Sequence, residues 1–413
     1  MPRQHVVPAG YREVLADRVF RRLVLGFGVS YLGDGMSFVA VAWLAIELAP
    51  PGDAGLWVGA AVAAYTLPGV VGALVFGRRL RRLPARRLLL ADNVVRGVFL
   101  GVAPLAWLTG TLTLPLYVLL LAGSSLLHAW GSAGKYTVLA ELLPAEQRLA
   151  ANTIVSTLNF AATIAGPAVA GLLVTFVSSA LVLGLDALTY VFLAVLVART
   201  RLPGSGHAAP VDRKSARGGF ALLRSHPELL GLLTLTWFFN LLYGPVEVAL
   251  PLHVAELGAS STLLGAYWML FGIGAVLGGL AVGALRRLPL WPVTVGIVLA
   301  WGVCLLPFGF AAPTVVTVAC FTLGGAIYGP FVALSVTLMQ ATAPPRHLSA
   351  MLAARSAALL TASPLGAALG GPLTAALGPR LTLGVSGLAT VALGAVACVL
   401  LLARRRQSVQ APA

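Results

Sequence analysis

The sequence predicts an all-α integral membrane protein of twelve transmembrane helices in two pseudo-symmetric six-helix halves. Three observations predict it. Hydrophobic residues fill 59% of the 413 positions and charged residues only 10%, where soluble domains carry about 25% charge. Twelve stretches are long and apolar enough for a helix to cross a hydrocarbon core that takes about 20 residues. A motif written in the first half of the chain returns in the second.

In chain order the stretches run 22–49, 54–76, 88–109, 112–133, 149–175, 178–199, 229–255, 260–285, 290–310, 312–341, 347–376 and 380–402. Helices are the expected element, because a barrel strand shows about ten residues of alternating polarity instead. The first stretch is too long for a signal-peptide core and is followed at once by another span. Cys304, Cys320 and Cys398 fall inside spans with no disulfide or metal spacing and read as small core hydrophobes.

Basic residues set the expected orientation. Of the 28 Lys and Arg, Arg96 and Arg355 lie within spans, Arg380 lies on one side, and all the others fall on the opposite side. By the positive-inside rule both termini are cytoplasmic, in a cytoplasmic (inner) cell membrane. The net charge of +15 then sits where anionic lipid headgroups lie, so the lipid bilayer rather than nucleic acid is the expected partner.

"VGALVFGRRLRRLP" (71–84) reappears as "LGGLAVGALRRLP" (277–289), displaced by 206 residues, about half the chain. The polar segment "RLPGSGHAAPVDRKSARGG" (201–219) has the composition of a flexible linker. The expected division is a cytoplasmic N-terminal segment (1–21), a six-helix half (22–199), a cytoplasmic linker (200–228), a second six-helix half (229–402) and a cytoplasmic tail (403–413). Two repeats with a site near the midplane are a transporter plan, and a monomer suffices for it.

Enzyme motifs are missing. "GSAGKYT" (131–137) departs from a phosphate-binding loop at Ala129, in the first glycine position, and at Tyr136, in place of the magnesium-binding hydroxyl. There is no Gly-x-Ser-x-Gly elbow, zinc-type His pair or Cys-x-x-Cys. The reading is a protein with no cofactor, no metal and no catalysis, driven by a gradient.

Intramembrane polar groups are the informative residues, because a central Asp costs about 3 kcal/mol to insert and by default marks function. In span 1, Asp34 shares a helical face with Ser30 and Ser37. It is either a structural carboxylate paired with an arginine or a proton-carrying or substrate-facing group. In span 7, Thr236, Asn240, Tyr243 and Glu247 recur at 4, 3 and 4 residues, and Pro245 and Pro251 predict a broken or kinked helix. Glu247 reads equally as a coupling residue or a vestibule residue. His128 in span 4 lies among serines, and Arg355 marks span 11. Asp92 and Arg96, four residues apart at the start of span 3, read as a local ion pair near the cytoplasmic face, and Asp186 in span 6 reads as structural. So few cavity charges point to a largely apolar or cationic cargo. Gly274 with Gly278 and Gly366 with Gly370 are helix-packing signals.

The duplication, the central loop and the arginine-rich 2–3 loop resemble the major facilitator superfamily over nearly the whole chain. "SYLGDGMSFVAVAWL" (30–44), "ELLPAEQRLAANTIVSTLNFAATIAGPAVAGLL" (141–173) and "ASPLGAALGGPLTAALG" (362–378) are similar to its drug and natural-product exporters, the macrolide-efflux and siderophore-exporter type. The family's 2–3 loop motif maps onto Gly77 through Arg86, where Arg82 matches, Arg81 replaces the usual Asp and Pro84 replaces the second Gly. Gly166, Pro167 and Gly171 match the Gly-Pro-x-x-x-Gly core of its fifth-span antiporter motif, which the family associates with export. The resemblance also implies a cavity lined by spans 1, 4, 7 and 10, placing Tyr328 and Gln340 in or near the path.

Together these readings predict a secondary active transporter that exports a small amphipathic or hydrophobic compound, such as an antibiotic, drug or siderophore, in exchange for protons by alternating access. The alternatives are proton-coupled or uniport uptake of a nutrient, and a non-transporting sensor or scaffold. Asp34, Glu247 and Arg355 are the coupling candidates. Ser30, Ser37, His128, Thr236, Asn240, Tyr243, Tyr328 and Gln340 are the cavity candidates. Gly77, Arg81, Arg82, Asp92, Arg96, Gly166, Pro167 and Gly171 are the gating and structural ones.

Overall fold

The computed structural model describes residues 9–76, 80, 82–200, 213–281, 288–344 and 347–410. Twelve helical spans are long and apolar enough to cross a bilayer. They are span 1 (Arg18–Leu48), span 2 (Ala54–Val75), span 3 (Ala85–Leu108), span 4 (Leu114–Ser125 continued by His128–Leu142), span 5 (Ala145–Leu173) and span 6 (Ser179–Arg199). Span 7 (Pro227–Glu256), span 8 (Ser261–Leu280), span 9 (Leu290–Gly309), span 10 (Thr314–Tyr328 continued by Phe331–Thr342), span 11 (Leu348–Leu377) and span 12 (Pro379–Gln410) follow. Two short helices, Ala9–Ala16 and Arg213–Arg224, precede spans 1 and 7. No strand occurs among the described residues. In a medium that offers no hydrogen bonds, a helix satisfies its backbone internally, and the Leu, Ala and Val that dominate the spans fill its surface.

Span 4 runs nine residues beyond its expected end at 133, to Leu142. Gly131, Gly134 and Lys135 lower the apolarity of this stretch without ending the helix. It is interrupted at Leu126 and Leu127 instead. Just before the break the Ser124 hydroxyl donates to the Leu121 carbonyl at 2.7 Å and that of Ser125 to the Ala64 carbonyl of span 2 at 3.2 Å, the kind of side-chain bonding that competes with helix continuation. Span 10 is interrupted at Gly329 and Pro330, the corresponding place in the repeat. Span 7, expected to be broken or kinked at its prolines, is not broken: one helix runs through Pro245 and Pro251. Both prolines are buried, and Pro245 lies against Gly370 of span 11, so packing holds the helix together around the missing donors.

The chain divides into two compact units, one built from the residues up to Leu44 with Ala64–Pro210, the other from Ala45–Ala63 with the residues from Val211 onward. In the first unit span 3 packs on span 6; in the second, span 9 packs on span 12, span 7 on span 11 and span 8 on span 10. Glycines set the closest approaches. A Cβ on Gly166 of span 5 would stand 2.5 Å from the Cα of Gly35 in span 1, and one on Gly244 of span 7 would stand 2.5 Å from the Cα of Gly366 in span 11. The same crossing thus occurs once in each unit. Gly274 and Gly278 similarly lie against the backbone of span 10 around Ala326, as small-residue packing in membranes requires.

Because the backbone of span 1 opposes it at 2.5–2.9 Å, a side chain at Gly166 must push spans 1 and 5 apart. Gly166→Val is expected to destabilise the protein by about 3 kcal/mol, the upper end of overpacking costs, read as a lowered unfolding midpoint in detergent. Gly231→Ala, where a Cβ meets nothing within 4 Å, is expected not to lower the midpoint and to raise it slightly, since Ala is favoured over Gly in a helix.

Candidate functional site

The Gly35–Gly166 crossing sits one residue from Asp34, and around that carboxylate the first unit gathers its intramembrane charges. Arg96 of span 3 donates from Nη1 to Asp34 Oδ1 at 3.0 Å, and its side chain is only 3% exposed. Tyr190 of span 6 donates its hydroxyl to the same Asp34 oxygen, and Arg96 also donates to Tyr190. The guanidinium lies 5.0 Å from the Tyr190 ring centroid and 5.6 Å from that of Tyr65 in span 2. Ring faces and a carboxylate together suit a guanidinium held away from water.

Arg96 is not simply the i+4 partner of Asp92. Its Nε stands 3.7 Å from Asp92 Oδ1, beyond hydrogen-bond range, and both atoms are buried without a hydrogen-bond partner. The local ion pair expected within span 3 is present, without a hydrogen bond, and Arg96 also bridges to Asp34 of span 1. Arg96 serves Asp34 of span 1 first, because the Asp34 carboxylate meets Nη1 in hydrogen-bonding geometry while Asp92 does not. Asp92 meets His128 Nδ1 at 4.0 Å on its other side. Gly131 makes room for this arrangement, since any Cβ there would collide with the Asp92 carboxyl.

Asp34, with 35% of its side chain exposed, opens onto a cavity in the first unit together with Ser30, Asp92, Asn93, His128 and Lys135. Phe27, Leu89 and Leu193 supply its apolar wall. The structure thus brings Asp34, Ser30 and His128 together with Asp92, which the sequence marked as a structural residue. Ser37 is corrected: it is fully buried and donates to Asp186, not to the cavity. Asp186 is fully buried too and also accepts from the Thr189 hydroxyl at 3.2 Å, so hydroxyls satisfy it.

Lys135 is the residue that sequence reasoning missed. Ending span 4 at 133 puts it in a loop, among the cytoplasmic cations. The legible signal is its spacing from His128 and Ser132, 7 and 3 residues, which is one helix face.

In the second unit Thr236 is buried and donates to the Leu232 carbonyl at 2.7 Å, and Asn240 donates to the Thr236 carbonyl at 2.8 Å. Thr236 is thereby corrected from a cavity group to a backbone-satisfied core residue. Tyr243 stacks on Tyr328, with centroids 5.7 Å apart and planes at 26°. Both belong to an aromatic cluster with Trp268, Phe271, Trp301 and Phe239. Glu247 accepts from the Ser363 hydroxyl at 3.3 Å. Arg355 donates to Ser335 at 2.8 Å, and Gln340 is exposed near the end of span 10. Pro167 and Gly171 are buried in span 5. Arg82 is exposed in the turn before span 3. Gly77 and Arg81 lie outside the described residues.

Removing a buried cation that serves a carboxylate leaves the carboxylate uncompensated. Arg96→Met is expected to cost about 3 kcal/mol, measured by thermal unfolding in detergent. Adding Asp34→Asn to Arg96→Met is expected to recover part of that loss, because the double variant has no orphaned Asp34 charge.

Comparison with known proteins places this geometry in a family. The family model described as Major Facilitator Superfamily matches residues 23–356. The chain is 28% identical over 357 residues to the multidrug efflux pump Tap of Mycobacterium tuberculosis, covering 81% of this chain and 82% of the pump. It is also 28% identical over 287 residues to the uncharacterized MFS-type transporter y4rN of Sinorhizobium fredii, covering 67% of this chain and 69% of that protein. Among solved structures it matches the nucleoside transporter NupG with a TM-score of 0.74 at 13% identity, over 93% of this chain and 99% of that one. The twelve spans and the extent of the family match make the conclusion plain: this chain belongs to the major facilitator superfamily of membrane transporters.

Proposed function

We propose that this protein is a secondary exporter of the cytoplasmic membrane, both termini inside, that expels a small amphipathic compound in exchange for protons. The observation that carries the reading is Asp34, a carboxylate at mid-span that is tied to Arg96 and Tyr190 and reachable from a cavity. Its charge state decides whether span 1 is tied to spans 3 and 6. Ionised, Asp34 holds the Arg96 guanidinium. Protonated, it gives up most of that attraction, and Arg96 Nε is free to close its 3.7 Å gap to Asp92. A proton thereby trades a contact between spans 1 and 3 for one within span 3 and unties span 1, the kind of change a coupling site in an alternating-access cycle requires.

Within the second unit Tyr243, Phe271 and Tyr328, all half-buried, offer an aromatic surface that suits an amphipathic or hydrophobic cargo. Likeness to the Tap efflux pump over 81% of the chain, together with the Gly166-Pro167 crossing beside Asp34, supports export over uptake. The charge on Asp34 and its cavity access make it the first coupling candidate, ahead of Glu247, whose carboxylate accepts a Ser363 hydroxyl, and Arg355, which is bonded to Ser335.

The test is proton movement in proteoliposomes bearing an imposed pH gradient while lipophilic antibiotics and siderophores are added. Wild type is expected to show compound-triggered proton flux, and Asp34→Asn is expected to abolish it while the compound still binds. Unchanged flux in Asp34→Asn removes Asp34 from the path, and accumulation of a labelled compound by intact cells reverses the assigned direction.

A further inference from the structure

Each unit has a short helix ahead of its first span that packs on its fifth: Ala9–Ala16 on span 5 and Arg213–Arg224 on span 11. Each seats a fully buried aliphatic side chain in a core cluster, Val14 in the first unit and Leu223 in the second. The packing role is therefore the same, but the charge is not. The first helix carries Arg12 beside Glu13, whereas "RKSARGGFALLR" carries Arg213, Lys214, Arg217 and Arg224 and no acid. Seating Leu223 does not require four cations, since Val14 is seated without them.

The second helix also meets span 11 at the edge of the bilayer. A Cβ on Gly219 would collide with the Ala350 carbonyl and stand 3.0 Å from the Cβ of Ala354, and Ala350 is where the apolar stretch of span 11 begins. Gly219 and Leu223 are buried on that side, while Phe220 is 39% exposed and Ala221 and Arg224 are exposed on the other. Arg213, Arg217, Phe220 and Arg224 are spaced by 4, 3 and 4 residues, so helical period sets their positions on this outer side. A phenyl ring exposed at the depth where a span begins is stable against acyl chains rather than water, and cations around it match lipid phosphate. Span 11 supplies no acid to answer that charge. Arg355, next to Ala354, is buried and bonded to the Ser335 hydroxyl, and among the described residues no carboxylate comes within 4.0 Å of it.

We propose that the helix Arg213–Arg224 is a binding site for an anionic phospholipid, whose phosphate pairs with the cations of the outer side while Phe220 lies against its acyl chain. Charge complementarity and depth select this occupant. Leu223 shares its core cluster with Leu229 of span 7, Leu338 of span 10 and Met351 of span 11, so a lipid held by the helix is held to the ends of three spans. The site uses no residue of the Asp34 network and holds for either direction of transport.

The test titrates full-length protein in neutral detergent at low salt with phosphatidylglycerol or phosphatidylcholine and counts bound lipid by native mass spectrometry. Wild type is expected to hold phosphatidylglycerol about a hundredfold more tightly, the worth of three cations near a headgroup surface. Arg213→Gln, Lys214→Gln and Arg217→Gln together are expected to erase most of that preference. Arg404→Gln, Arg405→Gln and Arg406→Gln, an equal loss of charge from the tail, are expected to keep it. Should the triple helix variant not fold, Arg224→Gln alone gives the same readout, an expected loss of about fivefold. Equal binding of the two lipids by wild type, a preference that survives the helix substitutions, or an equal loss in the tail variant overturns the proposal. Displacement of phosphatidylglycerol by inorganic phosphate, but not by chloride of the same ionic strength, reassigns the cations to a soluble phosphate and overturns the lipid assignment.

Discussion

A carboxylate in the middle of a membrane-spanning helix has to be neutralised, and in this protein the requirement falls on Arg96. Its guanidinium is nearly inaccessible, pairs with Asp34, touches Tyr190 and lies against the faces of two tyrosine rings. Four spans therefore meet at one charge. The surrounding sequence is arranged to permit it. Gly35 and Gly166 let spans 1 and 5 cross with backbone in contact beside Asp34, and Gly131 leaves span 4 no side chain where Asp92 sits.

The two units follow one plan with different chemistry. Each has a glycine crossing between its first and fifth spans, and each breaks its fourth span at the corresponding place. Where the first unit sets Arg96 among Tyr65, Tyr190 and Asp34, the second sets Trp301 among Tyr243, Phe271, Phe321 and Tyr328. Helix packing constrains where backbone can approach backbone and is retained in both units. The side chains at the corresponding place are free to differ, so the first unit sets a charge network there and the second an aromatic cluster.

Of the candidate site, the sequence showed the parts that depend on local pattern. Asp34 and Ser30 stand on one face of span 1 because helical period dictates it, and Tyr243 and Tyr328 both lie on spans that the family resemblance placed along the path. What it could not show was which partner each charge chose. Asp92 is four residues from Arg96 and yet lies farther from its guanidinium than Asp34, sixty-two residues away. Ser37 shares a face with Asp34 and yet bonds to Asp186 on another span. Thr236 and Asn240 look like a polar strip and spend their hydrogen bonds on their own helix.

The sequence by itself determined that this chain spans a membrane twelve times, because apolar length is a one-dimensional property and each helix satisfies its own backbone. It determined the duplication as well, since a repeated motif needs no third dimension to be seen. Only the tertiary structure decided the charge network and the place of Lys135. A charge inside a membrane takes the partner that geometry brings within reach, and that geometry is set by glycine crossings and helix breaks between spans distant in the chain. Span 4 is the sharpest case: the glycines that lower its apolarity are the same residues that let it pack, so a segment that reads as the end of a helix is where Lys135 enters the cavity.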